Sequence, residues 1–190
     1  MNYQNLTLTE YEKHYTDIAP NYSHVDDFSP AGPHYHRTTF FLRFLHPGQK
    51  VWDVGCSNGG LARYITGLMD LSYFASDIAP FFVQNAQRSA PKAICGIFPI
   101  ERAPFAEECF DVVIAGEVLE HVLNINIALN QIRHVLKRGG MLLATTPRNP
   151  DTDVNEQHLR YLDDKAWKEL LPQCYVEDNQ YSWLMAWKKP

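Results

Sequence analysis

Long apolar runs, paired cysteines and an excess of basic residues are all missing from this sequence. No stretch approaches the roughly 20 apolar residues that a membrane-spanning helix needs, and Met1–Glu10 is polar, unlike a signal peptide. The four cysteines form no C-x-x-C pair, which favours reduced thiols and argues against a structural zinc site. We therefore expect a cytoplasmic protein that does not associate with membranes.

Charge and size limit the partners and the domain count. The net charge of −5 provides no overall basic surface, so nucleic acid is a disfavoured partner, although a local basic groove stays open. A chain of 190 residues, 45% of them hydrophobic, fits one domain that buries a core. We expect a helical cap over residues 1–46 and a core over residues 47–190. The oligomeric state is left open.

The stretch Val51–Gly60 predicts a strand, a tight loop and the start of a helix. Its loop fits the dinucleotide pattern G-x-G-x-x-G except that the second glycine, which lets the backbone reach a pyrophosphate, is replaced by Ser57. Asp53 would also place negative charge beside a pyrophosphate. A ligand with an ammonium group, a ribose and no phosphate suits this loop better, although glycine-rich turns also occur without any ligand.

Apolar runs alternate with helical patterns along the rest of the chain. We predict helices at Glu10–Ile18 and Thr38–Leu45, after Gly60 with Leu61, Ile65 and Leu68 on one face, around Phe82–Ala86, from Ile125 to Leu136, and around Trp167. We predict strands at Lys50–Val54, Ser72–Ser76, Lys92–Gly96, Phe110–Ala115, Met141–Thr145, Tyr175–Gln180 and Ser182–Lys188. The pattern predicts an α/β fold with a doubly wound, mostly parallel, seven-stranded sheet that ends in an antiparallel hairpin.

Three sequence blocks resemble those of the class I methyltransferases that depend on S-adenosylmethionine (SAM). They are the glycine loop, Ala103–Val122, which is similar to "L-P-F…F-D-V-V…L-E-H-V", and Leu136–Pro147. The resemblance extends from about Tyr15 to Lys188 and is closest to small-molecule methyltransferases of the ubiquinone-pathway type. It implies a Rossmann-like fold, SAM as cofactor and a small-molecule acceptor.

The resemblance also implies roles for individual residues. The loop backbone, including Gly55, Cys56, Ser57 and Gly59, would lie along the methionine part of SAM, with Asp53 ordering the loop or facing the ammonium. Asp77 would hold the ribose hydroxyls, Ile78 and Ile100 would flank the adenine, and Ala115–Glu117 would line the sulfonium side. The aspartate usually found near the adenine amine is replaced by Pro99, so backbone groups would substitute there. Arg37 would bind the SAM carboxylate; its alternative is a solvated surface arginine, and the alternative for Asp77 is the N-cap of the next helix.

The acceptor side is predicted from histidines and aromatic residues. One histidine of His34-Tyr35-His36, within the cap, could act as a base, unless the two only lie on a surface loop. The candidate catalytic residues are His36, His121 and His158. Tyr15, Tyr22 and Tyr35 would form an aromatic lid, unless they only pack the cap. The pattern E-x-x-E-H at Glu117–His121, together with His158, resembles the metal site of small-RNA 2′-O-methyltransferases. Metal-free relatives carry the same "L-E-H-V", so we assign no metal ligand.

We therefore expect methyl transfer from SAM to an O, N or C atom of a small molecule. Three alternatives stay open: a metal-dependent RNA-terminal 2′-O-methyltransferase, a SAM-binding module without catalysis, and an NAD-dependent oxidoreductase. The RNA alternative lacks the basic surface that phosphate contacts require.

Overall fold

The computed structural model describes residues 3–22, 26–148 and 155–190. Six α-helices and seven strands lie within these ranges, and short 3-10 turns join them. The helices are α1 (Leu8–Ile18), α2 (Tyr35–Leu42), α3 (Gly60–Leu68), α4 (Pro80–Ser89), α5 (Ile125–Val135) and α6 (Asp164–Leu170). The strands are β1 (Lys50–Val54), β2 (Ser72–Asp77), β3 (Ile94–Ile97), β4 (Phe110–Gly116), β5 (Leu136–Pro147), β6 (Tyr175–Asp178) and β7 (Ser182–Lys188).

One mixed sheet organises the fold, with strand order β3-β2-β1-β4-β5-β7-β6. Strands β1 to β5 run parallel to one another, whereas β7 pairs antiparallel with both β5 and β6. The predicted doubly wound sheet with its antiparallel end is confirmed. The chain order reverses between β1 and β4, which are adjacent, and ligands of such sheets bind at the carboxyl ends of the strands beside this reversal.

Both faces of the sheet are covered by helices, which explains the β-branched run in β4. Val113 and Ala115 face a core that includes α5 and α6, while Val112 and Ile114 face the core formed with α2 and α3. All four side chains are fully buried. A strand that is buried on both faces needs apolar residues at successive positions rather than at alternate ones.

Several helix boundaries differ from their predictions. Helix α1 begins two residues earlier than predicted because Thr7 and Glu10 form a capping box. Helix α2 begins at Tyr35 rather than Thr38. Helix α5 ends at Val135 because Leu136 pairs with Phe110 in the sheet.

The third strand and helix α3 also differ from their predictions. Strand β3 covers Ile94–Ile97 instead of residues 92–96. Leu68, which was assigned to the buried face of α3, is 54% exposed at the end of that helix, whereas Leu61 and Ile65 are buried as predicted. Among the described residues, no helix combines the length and the apolar character that spanning a membrane would require.

Candidate functional site

A cavity of about 390 Å³ opens at the carboxyl ends of β1, β2 and β4. A volume of several hundred Å³ is typical of sites for small molecules. Most of the predicted site residues line it: Arg37, Asp53, Gly55, Cys56, Ser57, Asp77, Ile78, Pro99, Ile100, Glu117, His121 and His158. The cavity therefore joins the predicted cofactor side to two of the three predicted catalytic histidines.

The glycine loop after β1 reaches the cavity through backbone that favours glycine. Gly55 has φ of +66°, and a Cβ there would lie 2.6 Å from the Val118 side chain. Ser57, which stands in place of the second glycine, itself adopts φ of +49°. The loop therefore adopts the left-handed backbone conformation at this position without a glycine. That conformation costs a modest strain in a residue with a side chain.

Asp77 is fixed at the tip of β2 by backbone amides. Its carboxylate accepts hydrogen bonds from the amides of Ser57 and Ala79, each at 3.0 Å. Burial raises the pKa of Asp77 to about 6, although those two hydrogen bonds by themselves would lower this pKa. Helix α4 begins at Pro80 with Ala79 in the N-cap position, so the alternative role of Asp77 as that cap is wrong.

Asp53 lies below the glycine loop with only 3% of its surface exposed. The Tyr73 hydroxyl donates a hydrogen bond to it at 3.0 Å. Burial nevertheless raises the pKa of Asp53 to about 7, and the neighbouring Asp26 and Asp77 carboxylates add to that rise. A cation placed beside this group would favour its ionised form.

Asp26 is a site residue that the sequence analysis missed. Its carboxylate accepts a hydrogen bond of 2.8 Å from the Gly60 amide, the first residue of α3, and it lines the cavity. The N-cap residue of α3, Gly59, makes no side-chain capping bond, so Asp26 supplies the cap from a distant segment. No local motif marks this contact, because the two residues are 34 positions apart.

Arg37 is buried rather than solvated, which overturns its surface alternative. It is 8% exposed and lies 5.1 Å from the centre of the Phe28 ring. Burial lowers the pKa of Arg37, and the charges of Glu117, Glu120 and Asp26 oppose that shift. No hydrogen bond of its guanidinium is found within the described ranges, so the group faces the cavity without a fixed partner.

Glu117 follows β4 in a left-handed conformation, with φ of +56°, and its amide donates to the Thr145 carbonyl. Burial raises the pKa of Glu117, while the Arg37 charge lowers it. Its Oε1 atom is inaccessible to solvent and has no hydrogen-bond partner in the described part of the chain. Backbone strain beside an unpaired buried oxygen is typical of a ligand site.

His121 and His158 lie close together in the lining of the cavity. Their ring centroids are 4.5 Å apart, and Glu120 joins them with potential ligand atoms within 4.8 Å of one another. The His121 Nδ1 atom lies 3.1 Å from the Tyr15 hydroxyl of α1 and 3.2 Å from the Gln157 carbonyl oxygen. The Tyr11 hydroxyl donates to the His121 carbonyl.

Three predicted site residues do not line the cavity. His36 lies beside Tyr181 and the Ser182 hydroxyl, and its neighbour His34 lines the cavity instead. Gly59 packs against α4, since a Cβ there would lie 2.8 Å from the Ala86 backbone. Ala115 is fully buried in the core, and the next residue, Gly116, reaches the cavity.

Two of the three residues predicted to form an aromatic lid line the cavity, and so do residues that had not been predicted. Tyr15 and Tyr22 line the cavity, whereas Tyr35 does not. Other lining residues that the sequence analysis did not propose are Tyr11, Phe28, Phe98, Glu101, Asn155 and Gln157. These residues lie in the cap and in loops whose composition carries no recognisable motif.

Comparison with known proteins agrees with this architecture. Residues 52–144 match a family described as "Methyltransferase domain". A malonyl-[acyl-carrier protein] O-methyltransferase of Herminiimonas arsenicoxydans is 35% identical over 53% of this chain and 38% of its own length. The mitochondrial ubiquinone biosynthesis O-methyltransferase of Rattus norvegicus is 32% identical over 60% of this chain and 33% of its own. The chain thus spans little more than a third of these two relatives.

A solved structure extends the likeness of fold to nearly the whole chain. A Haemonchus contortus phosphoethanolamine N-methyltransferase, in complex with S-adenosylhomocysteine and phosphomonomethylethanolamine, superposes with a TM-score of 0.70 at 16% identity. The superposition covers 96% of this chain and 58% of that one. The matched domain and the named relatives make this chain similar to methyltransferases over about half of its length, and it shares their fold over nearly all of it.

Proposed function

We propose that this protein transfers the methyl group of SAM to an O, N or C atom of a small-molecule acceptor and releases S-adenosylhomocysteine. One observation carries the proposal: two buried acids, Asp53 and Asp77, stand at the tips of adjacent parallel strands beside the glycine loop. Their raised pKa values reflect the cost of keeping carboxylates out of water without a cation.

The charges of the loop favour a cationic ligand over a dinucleotide. Dinucleotides place their pyrophosphate at the N-terminus of the helix after the first strand. In this chain the Asp26 carboxylate already accepts a hydrogen bond from the first amide of α3, and Asp53 lines the cavity as well. The Asp26 charge would repel a pyrophosphate, and a pyrophosphate would further disfavour the ionised form of Asp53, so the NAD alternative is disfavoured.

The amino-acid end of SAM fits two oppositely charged residues that line the cavity, Arg37 and Glu117. That end carries one ammonium and one carboxylate. The Arg37 guanidinium suits the carboxylate, and the Glu117 carboxylate suits the ammonium. Asp77 would then accept hydrogen bonds from the ribose hydroxyls, and Ile78 and Ile100 would pack against the adenine.

The protein's part in the reaction would be to orient two reactants and to exclude water. SAM supplies a methyl group already activated by the positive sulfur. Tyr11, Tyr15 and Tyr22 of the N-terminal segment line the cavity. Their rings would shield the reacting atoms from water, and a fixed position of the acceptor would provide most of the rate gain.

A small acceptor suits the acidic lining of the cavity better than RNA does. Six carboxylate residues line it within the described ranges, against a single arginine and no lysine: Asp26, Asp53, Asp77, Glu101, Glu117 and Glu120. The phosphate groups of RNA are bound by an excess of lysine and arginine over acidic residues, which is the opposite of the charge in this cavity. The RNA alternative is therefore disfavoured at the cavity as well as by the net charge.

Two measurements test the proposal. Titration calorimetry should detect binding of SAM and of S-adenosylhomocysteine, and mass spectrometry of a metabolite panel incubated with enzyme and SAM should detect a gain of one methylene. Absence of SAM binding would refute the proposal. Binding without methylation of any acceptor would instead support the SAM-binding module.

A further inference from the structure

The lining of the cavity carries more negative charge than SAM alone can balance. Six carboxylate residues face one arginine and no lysine among the described residues of the lining. SAM brings a sulfonium, an ammonium and a carboxylate, so it adds a single net positive charge. Carboxylates that are held out of water are costly unless a cation or a hydrogen-bond donor lies beside them. The remaining acidic excess is therefore a constraint on the charge of the acceptor.

Glu101 is an acid of the lining that the proposed contacts with SAM do not use. It belongs to the 3-10 turn Ile100–Arg102. Its Oε1 atom is inaccessible to solvent and has no hydrogen-bond partner within the described ranges. Burial raises the pKa of Glu101, although the backbone amide of Asn124 and the charge of Arg160 oppose that rise. A buried carboxylate of this kind is stabilised in its ionised form by a cation placed beside it.

The neighbouring Arg160 does not supply that cation to the cavity. Its guanidinium donates hydrogen bonds to the carbonyl oxygens of Leu119, at 2.9 Å, and of Leu123, at 3.2 Å. Among the residues that the structure describes, Arg160 is not part of the cavity lining. Its donors thus hold the backbone after β4, and a positive charge beside Glu101 inside the cavity has to come from a ligand.

Two aromatic rings lie close to Glu101. Burial raises the pKa of the Tyr11 hydroxyl, and the nearby Glu101 charge adds to that rise. The rings of Tyr11 and Tyr15 have centroids 4.8 Å apart, and both residues line the cavity. Burial also raises the pKa of Tyr15, so both hydroxyls stay neutral at ordinary pH. Faces of neutral aromatic rings attract cations, and more strongly where water is excluded.

The two rings also connect Glu101 to the acceptor side of the cavity. The Tyr11 hydroxyl donates to the His121 carbonyl, and the Tyr15 hydroxyl lies 3.1 Å from His121 Nδ1. A carboxylate and two neutral rings therefore stand together beside a residue predicted for the acceptor pocket. This combination suits a small organic cation, since a carboxylate supplies the opposite charge and the rings supply polarisable faces.

We propose that the acceptor is an amine that binds as its ammonium ion between the Glu101 carboxylate and the rings of Tyr11 and Tyr15. This inference rests on the function proposed above and narrows its acceptor to one chemical class. A hydroxyl acceptor would leave the Glu101 carboxylate without a cation. A carboxylate acceptor would add a further charge of the same sign to an acidic cavity.

The bound ammonium loses one proton before it is methylated, because it has no lone pair. That proton passes to the Glu101 carboxylate and leaves a neutral amine. The nitrogen lone pair then bonds to the methyl carbon, the carbon–sulfur bond breaks, and its electron pair stays on sulfur. The products are the methylated ammonium ion, S-adenosylhomocysteine and protonated Glu101, which later releases its proton to water.

The first test measures binding and needs no turnover. Choline and its neutral isostere 3,3-dimethyl-1-butanol are titrated by calorimetry into the native chain saturated with S-adenosylhomocysteine. The two probes share their shape and hydroxyl group and differ in charge. We expect choline to bind about tenfold more tightly, as aromatic faces and a carboxylate bind a cation. Equal affinities, including no binding of either probe, would overturn the proposal.

The second test measures turnover with SAM on acceptors of matched skeleton. Benzylamine is compared with benzyl alcohol and benzoate, and 2-phenylethylamine with 2-phenylethanol and phenylacetate. We expect the amine of each set to have the highest kcat/KM, by about tenfold or more, and the carboxylates to remain unmethylated. Methylation confined to hydroxyl, carboxyl or carbon acceptors, or absent from the amines, would overturn the proposal.

The matched variants are Glu101→Gln, which removes the charge at nearly constant size, and Glu107→Gln, at an exposed position in the segment before β4. We expect Glu101→Gln to lower kcat/KM for the amine by about a hundredfold and to reduce the preference for choline over its isostere. Its affinity for S-adenosylhomocysteine should be unchanged, and Glu107→Gln should behave as the native chain.

These variants separate recognition of charge from a structural role of Glu101. A structural defect would weaken the binding of both probes and of S-adenosylhomocysteine together. An unchanged preference for choline in Glu101→Gln would overturn the proposal, as would an equal loss for the charged and the neutral probe. Failure of the native chain to bind SAM or S-adenosylhomocysteine would instead refute the underlying function.

Discussion

The two sides of the cavity are built in different ways. On the proposed cofactor side, Asp77 is held by the amides of Ser57 and Ala79, which lie on segments that the parallel strands bring together. On the proposed acceptor side, His121 is held by Tyr15, 106 residues before it in the chain, and by Gln157, 36 residues after it. The first side depends on backbone geometry, and the second on side chains and carbonyls from distant segments.

This difference predicts that substitutions on the two sides of the cavity have different effects. Changes at the glycine loop should alter cofactor affinity and stability together, since the same backbone provides both. Changes around His121 should alter turnover and leave cofactor affinity intact. The predictions below test this separation, from the largest expected effect to the smallest.

A methyl group added at Gly60 should disturb the cofactor side most. A Cβ there would lie 2.3 Å from the Asp26 carbonyl oxygen. We expect Gly60→Ala to lower the free energy of unfolding by about 1–3 kcal/mol and to weaken SAM binding. Gly67→Ala, in the same helix but with no atom within 4 Å, should instead stabilise by about 0.5–1 kcal/mol. Denaturant unfolding of both variants measures the contrast, and equal effects would contradict it.

The stability of the ligand-free protein should fall as the pH rises from about 4 to about 7. The folded-state pKa of Asp53, about 7, exceeds its ordinary value of 3.8, so in this window the folded chain keeps a proton that the unfolded chain has lost. A rise in pH therefore favours unfolding, by up to about 1.4 kcal/mol per pH unit for one group.

The matched variant for this pH effect is Asp53→Asn, which keeps an acceptor for the Tyr73 hydroxyl and cannot ionise. We expect a flatter dependence of unfolding free energy on pH in that variant, while Asp70→Asn, at an exposed position, keeps the native slope. SAM should bind the native chain more tightly as the pH rises through this window. A flat native profile would show that Asp53 is ionised without a cation.

Removal of the Tyr15 hydroxyl should affect only the acceptor side. Tyr15→Phe deletes one hydrogen-bond partner of His121 Nδ1 and leaves the Gln157 carbonyl in place. We expect a loss of about 0.5–1.5 kcal/mol in stability, a severalfold fall in kcat and unchanged SAM affinity. Tyr181→Phe, at a site 61% exposed, is the control. A fall in SAM affinity in Tyr15→Phe would show that the two sides are coupled.

The smallest effect is expected at Ser57, which stands at the position of the second glycine in the G-x-G-x-x-G pattern. Because Ser57 already has φ of +49°, glycine there would relieve strain but also add freedom to the unfolded chain. We expect Ser57→Gly to change stability by less than about 1 kcal/mol and SAM affinity by less than about threefold. A large gain in affinity would mean that the serine side chain obstructs the ligand.

The same contrast explains what the sequence could predict. The glycine loop and Asp77 follow strand ends that hydrophobic pattern and motif locate, so their convergence follows from parallel pairing. The contact of Asp26 with Gly60 and that of His121 with Gln157 join loops without motifs, and no periodicity predicts which loop residues meet. His34 lines the cavity and the predicted His36 does not, because sequence alone does not show which side chains at the start of α2 point towards the cavity.

The measurement that tests the account most directly is calorimetric titration of SAM into three proteins: the native chain, Asp77→Ala and His121→Gln. Asp77→Ala loses charge-assisted hydrogen bonds worth about 1.5–3 kcal/mol each, so its affinity should fall at least tenfold. His121→Gln should bind SAM with native affinity. Native affinity in Asp77→Ala, or an equal loss in both variants, would contradict the division of the cavity into a cofactor side and an acceptor side.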